Sequence, residues 1–244
     1  RLSLVGSEMC IRDRAMATMQ NFASNANHQI RTPLTVARTQ IAMAGKPTGG
    51  QVPEPLDKAD KALVRIERVL EQILLLARIE ATGTGPVMKR VDVAGLARSV
   101  TADLLPKAVG LQKDLGYEGP DSAFALSEEV LLGELLRNLV DNAIMHCPPE
   151  TMVTVQVSLA GPDDICLAVV DTGPPIPDAD LALLRSRLDP DGKQGEVRTG
   201  TRGLGLHIVG EIAKALQAGI RLDRGESGLG LVWSVRLAAL PPAD

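Results

Sequence analysis

His28 and Thr32 stand four residues apart with Pro33 directly after them. On a helix that spacing sets an imidazole and a hydroxyl on one face, within reach of the same phosphoryl group or attacking water. A neutral imidazole is a competent nucleophile toward phosphorus, and with an ordinary pKa of about 6.5 most of it is neutral near pH 7. Pro33 has no N–H to give the carbonyl of Gln29, so the helix should bend where His28 is presented. Asn138 and Asn142 are also four apart, on a segment whose other positions include Leu135, Leu136, Leu139 and Val140. Two amides on so apolar a helix are costly unless they meet a ligand or a polar network. Further on, Gly203 and Gly205 lead into a helical pattern, where small residues let backbone N–H groups crowd around an anion. Each feature has a plainer reading when taken alone. A lone histidine is usually an exposed polar residue, an amide pair can serve the core, Asp171 to Gly173 reads as a turn, and one GxG is weak.

These residues need elements to hold them. Residues 15–44 contain one Pro and no Gly, which permits a long helix, and GKPTGGQVPEP (45–55) is a helix-ending loop. After it Leu56, Leu63, Leu70 and Ala77 recur every seven residues, with Ala59, Ile66, Ile73 and Glu80 offset by three. Such a seam on a two-helix hairpin is expected to pair with a second copy as a four-helix bundle, unless it packs on its own C-terminal domain. The Gly, Thr and Pro of 82–91 read as a linker. Beyond it, 91–105 reads as a short strand and a helix, 128–146 as an apolar helix, 151–159 and 165–170 as strands, 204–216 as a helix and 229–237 as a strand. Strands and helices without a regular βαβ repeat imply an α+β fold, a helical hairpin followed by an α/β sandwich.

With 244 residues, two domains are expected. Aromatics are only 2% of the chain, which excludes base-stacking surfaces, and a net charge of −4 gives no broad attraction to nucleic acid. Cys10, Cys147 and Cys166 are odd in number and lack paired spacing, which argues against a disulfide framework or zinc cage. No apolar run reaches the ~20 residues that cross a bilayer. Residues 2–14, LSLVGSEMCIRDR, look like a translated sequencing adapter. The segment 1–14 is therefore read as artefact or disordered, with the natural N-terminal part missing.

In NFASNANHQIRTPLT (21–35) the chain resembles the phosphoacceptor box of bacterial sensor histidine kinases, and in ELLRNLVDNAIMHC (134–147) their asparagine box. VVDTGPPIP (169–177) resembles the first glycine box and GTRGLGLHIVGEIAKAL (200–216) the second. The boxes come in the family's order over nearly the whole chain outside the suspected artefact. The resemblance implies a dimerisation and phosphotransfer domain at 15–81 and, at 92–240, an ATP-binding sandwich of the type shared with gyrase and Hsp90.

The implied activity is ATP-dependent phosphorylation of His28 and transfer to an aspartate on a response-regulator receiver domain, with phosphatase activity as a further option. His28, Gln29 and Thr32 would be catalytic. Asn138, Asn142, His146, Asp171, Gly173, Gly203 and Gly205 would hold the nucleotide, with Asn142 also on magnesium and Asp171 accepting the adenine amine. Gln29 stands where the family usually has a carboxylate, Met145 where a cation is frequent, Pro175 in place of a glycine and Thr201 in place of another. These four substitutions keep open the alternative of a non-catalytic dimeric scaffold. The variable stretch 185–198 reads as a mobile lid. Expected partners are a second copy and a response regulator, with no nucleic acid. The domain is expected in the cytoplasm and the parent protein at the bacterial inner membrane, reached only through the missing N-terminal region.

Overall fold

The computed structural model describes residues 34–37, 39, 41, 58, 59, 62, 63, 66 and 86–241, apart from 162, 187, 189–203, 226 and 227. The chain divides into two compact units, Arg1–Gly83 and Thr84–Asp244. In the first, the described residues are helical; Ala37, Ala59 and Ala62 are buried, while Leu34, Val36, Ile41 and Leu63 are exposed. Of the apolar seam, Leu63 is 45% exposed and Ile66 half-buried, and Leu56, Leu70 and Ile73 lie outside the described residues.

The second unit is a seven-stranded mixed sheet with helices. Its elements are β1 (Lys89–Asp92), α1 (Val93–Gly110), β2 (Asp114–Glu118), β3 (Phe124–Ser127), α2 (Glu129–His146), β4 (Met152–Leu159), β5 (Asp164–Asp171), α3 (Asp178–Ser186), α4 (Leu204–Ala215), β6 (Gly219–Arg224) and β7 (Leu231–Leu240). The strand order is β1-β3-β7-β5-β4-β2, with β6 also pairing β7. Among the described residues only β2 with β4 is parallel. β1 begins at Lys89, so the last residues of the stretch read as linker are sheet: Lys89 to Asp92 pair with Ser127 to Phe124.

Alternation decides which way the sheet faces. Val153, Val155 and Val157 of β4, Ile165, Leu167 and Val169 of β5, and Trp233, Val235 and Leu237 of β7 are all buried. Thr154, Gln156, Cys166 and Ser234 between them are half-buried, and Ser158 is exposed. Against this face pack α1, through Ala94, Ala97, Leu104 and Ala108, and α2, through Leu132, Leu135, Leu136, Leu139 and Ala143. The core is thus aliphatic apart from Trp233, as the scarcity of aromatics requires.

Candidate functional site

α2 starts where the Glu128 side chain accepts a hydrogen bond from Leu131 N at 2.7 Å, which caps its first turn. Its leucine stripe turns the helix so that Asn138 is buried and Asn142 half-buried beside the core face. The Asn138 Nδ2 donates to Glu134 O at 2.7 Å. A Cβ built on Gly205 would lie 3.5 Å from Asn138 Oδ1, so the first turn of α4 stands against this amide. Between the two asparagines Asp141 is buried, and Lys107 of α1 donates to its Oδ1 at 2.6 Å. A carboxylate there without such a partner would be strongly destabilising. One turn beyond Asn142 lies His146, exposed at the end of α2.

Asp171 continues the helix-facing parity of β5 by one more residue, which is why a carboxylate ends up 5% exposed beside α2. Its Oδ1 accepts from Gly173 N at 2.9 Å. Across from it, Gly230 has φ +64, and a Cβ there would collide with the Asp171 carbonyl oxygen. Gly230 N donates to Gly173 O at 2.8 Å, so the segment entering β7 braces the turn that follows β5.

Asn142, His146, Asp171 and Gly173 line a single cleft of about 340 Å³. Ala143 and Cys147 extend the α2 wall, and Leu206 and Leu231 add apolar surface from α4 and β7. The opposing wall is Ile176 and α3, through Asp180, Leu183 and Leu184. Aliphatic sides with a buried carboxylate suit a flat heteroaromatic ring that carries an N–H donor. The amide and imidazole along α2 give polar groups for the part of the ligand that extends from the ring.

Residues 127–240 match the family described as histidine kinase-, DNA gyrase B- and HSP90-like ATPase, and residues 18–82 match the His Kinase A (phospho-acceptor) domain. The chain belongs to the sensor histidine kinases. It is 28% identical over 226 residues to the probable sensor histidine kinase TcrY of Mycobacterium tuberculosis, covering 88% of this chain and 45% of that protein. With the sensor protein SphS of Synechococcus elongatus it shares 31% identity over 207 residues, 82% of this chain and 50% of that one. The chain therefore spans about half the length of these curated relatives. Among solved structures, histidine kinase ThkA in complex with the response regulator TrrA is similar in fold. That match has a TM-score of 0.69 at 18% identity and covers 98% of this chain and 67% of the other. The mycobacterial sensor histidine kinase MprB has a TM-score of 0.52 at 21% identity, covering 64% of this chain and all of the other.

In this kinase core the structure gathers Asn142, His146, Asp171 and Gly173 into the cleft, with Asn138 and Gly205 meeting directly behind it. His28, Gln29, Thr32, Thr201 and Gly203 lie outside the described residues. Arg185 opens the stretch 185–198 read as a mobile lid. It belongs to α3, and its guanidinium donates through Nε to Leu222 O and through a terminal nitrogen to Asp223 Oδ1, each at 2.8 Å. Residues 189–198 of that stretch lie outside the described residues. Sequence reasoning missed Cys147, Gly230 and the whole α3 wall. Gly230 had a usable signal, since a GxG pair opens the last strand segment just as another opens α4.

Proposed function

We propose that this chain is the ATP-dependent autokinase core of a two-component sensor, which phosphorylates His28 and passes the group to an aspartate of a response regulator. The observation that carries this reading is the convergence of Asn142 and His146 from the asparagine box with Asp171 and Gly173 from the first glycine box, joined by Leu206 of the second, on one cleft. In that reading the Asp171 carboxylate accepts the exocyclic amine of adenine, and the aliphatic side chains of Leu184, Leu206 and Leu231 sandwich the ring and exclude water. Asn138, Gly203 and Gly205 contact the phosphates. Asn142, a neutral amide on the cleft wall, suits magnesium, which would supply charge neutralisation across the phosphate oxygens. The His28 ring nitrogen bonds to the terminal phosphorus as the bond to the bridging oxygen breaks, ADP leaves and the ring proton passes to water; Gln29 supplies an orienting hydrogen bond because an amide cannot take that proton.

Residues 15–81 serve as the dimerisation and phosphotransfer domain and 92–240 as the nucleotide domain. The exposed Leu63 supports pairing of the hairpin with a second copy. The parent protein would sit at the bacterial inner membrane with this core in the cytoplasm, as the family resemblance implies. A scaffold without kinase activity is the second reading; it is favoured by Met145, a 55% exposed thioether at the end of α2 where the family often carries a cation. The test is incubation of the chain with magnesium and γ-labelled ATP. An acid-labile, alkali-stable label that His28→Gln abolishes is expected. An unlabelled wild type, or label retained by His28→Gln, would contradict the kinase reading, and an unlabelled dimer would favour the scaffold.

A further inference from the structure

The Asp171 carboxylate offers its lone pairs to the cleft, yet Gly173 N–H engages only Oδ1. A single donor leaves the plane of a carboxylate free to turn, because the terminal torsion of aspartate is broad. Cys147 stands beside it. A Cβ built on Gly173 would come within 2.8 Å of Asp171 Oδ1 and 3.1 Å of Cys147 Sγ, so thiol and carboxylate share the space above one glycine. Both line the cleft.

The position of Cys147 is fixed by its backbone. Its N–H donates to Ala143 O at 3.1 Å as α2 ends, and its carbonyl accepts from Lys113 Nζ at 2.6 Å. Lys113, itself buried, also donates to Pro148 O, which Thr151 Oγ1 reaches at 2.8 Å. A cation on the last carbonyls of a helix is favourable, and this one pins the corner that carries the thiol. Burial first, and then the charge of Asp171 and hydrogen bonding to it, push the thiol pKa up to about 12 against a smaller opposing pull from Lys113. At neutral pH Cys147 is therefore an S–H donor.

We infer that Cys147 is a positioning residue of the purine pocket, its S–H donating to the Asp171 carboxylate so that one acceptor edge is held toward the base and discriminates for adenine. The inference rests on the ATP reading above. A held carboxylate rewards a ring with an amine at the contacted position and repels one with a carbonyl there. Releasing the carboxylate weakens both effects.

The test titrates the 244-residue chain with magnesium-ATP and magnesium-ITP, comparing wild type, Cys147→Ala and Cys147→Ser. Wild type is expected to prefer ATP. Cys147→Ala should cut that preference about fivefold, mostly through lost ATP affinity, and Cys147→Ser, which keeps a donor, should restore it to within about twofold. Thermal melting of each variant checks that the fold is retained. The inference is overturned by an unchanged preference in Cys147→Ala, by equal weakening of both nucleotides, or by failure of serine to restore it. A wild type that binds neither nucleotide overturns the ATP reading itself, and this inference with it, so the two failures are told apart.

Discussion

On one wall of the cleft, α2 and β5 set Asn142 and Asp171 against a stripe in which Leu132, Leu135 and Leu136 have no exposed surface. On the other, α3 buries only Leu181 and leaves Leu183 52% exposed. What holds α3 is polar and near solvent. Arg185 bonds Leu222 and Asp223 on β6, and Arg224 bonds Asp178 Oδ1 at 2.6 Å and Ile176 O at 2.9 Å. The groups proposed to read the ligand thus sit on the wall fixed by apolar burial, while the facing wall is held by contacts that solvent weakens. A cleft built this way keeps its chemistry aligned when the second wall moves.

The contrast breaks most sharply at matched leucines. Leu135→Ala removes a wholly buried side chain and should destabilise the fold by about 3 kcal/mol, whereas Leu183→Ala should cost under about 1 kcal/mol. Urea unfolding of both variants checks this, and equal losses would erase the distinction between the walls. Next, Asn142→Asp adds a negative charge on the firm wall where the phosphates are proposed to lie, and calorimetric titration should show magnesium-ATP affinity lowered by roughly 30-fold. Unchanged magnesium-dependent affinity would remove Asn142 from the site.

Smaller effects belong to the second wall. Arg185→Ala disrupts an ion pair whose partners are 51% and 59% exposed, so it should cost under about 1 kcal/mol. Hydrogen exchange should show α3 amides protected less than those of α2, with the gap widened by Arg185→Ala. A separate effect is alkaline. The Cys147 thiol is raised from 9.0 to about 12 in the fold, so its stabilising contribution is complete below about pH 9 and fades as pH climbs toward 12. Cys147→Ser should therefore lose less stability than wild type over that window in parallel denaturant titrations.

The same contrast governs what could be read from residues alone. α2, β4, β5 and β7 announce themselves because burial on one face imposes a period, as in Val153, Val155 and Val157. α3 has no such stripe, since DADLALLRS buries one leucine. β6 is equally mute, with Leu222 its only buried residue, and β3 is four residues long. In the site, Asn142 is legible because its apolar surroundings make a polar side chain expensive, and Asp171, which alone reads as a turn residue, is legible through the resemblance to the first glycine box. Cys147 is not, because its importance comes from Lys113 and Asp171, which are 34 and 24 residues away and meet it only through the fold.

The most direct measurement is a crystal structure of the chain with magnesium and a non-hydrolysable ATP analogue. The account places the adenine between the two walls, its exocyclic amine on the Asp171 carboxylate and Asn142 on the metal. A nucleotide bound with its base away from Asp171, or phosphates that enter the aliphatic end beside Leu184 and Leu231, would contradict it.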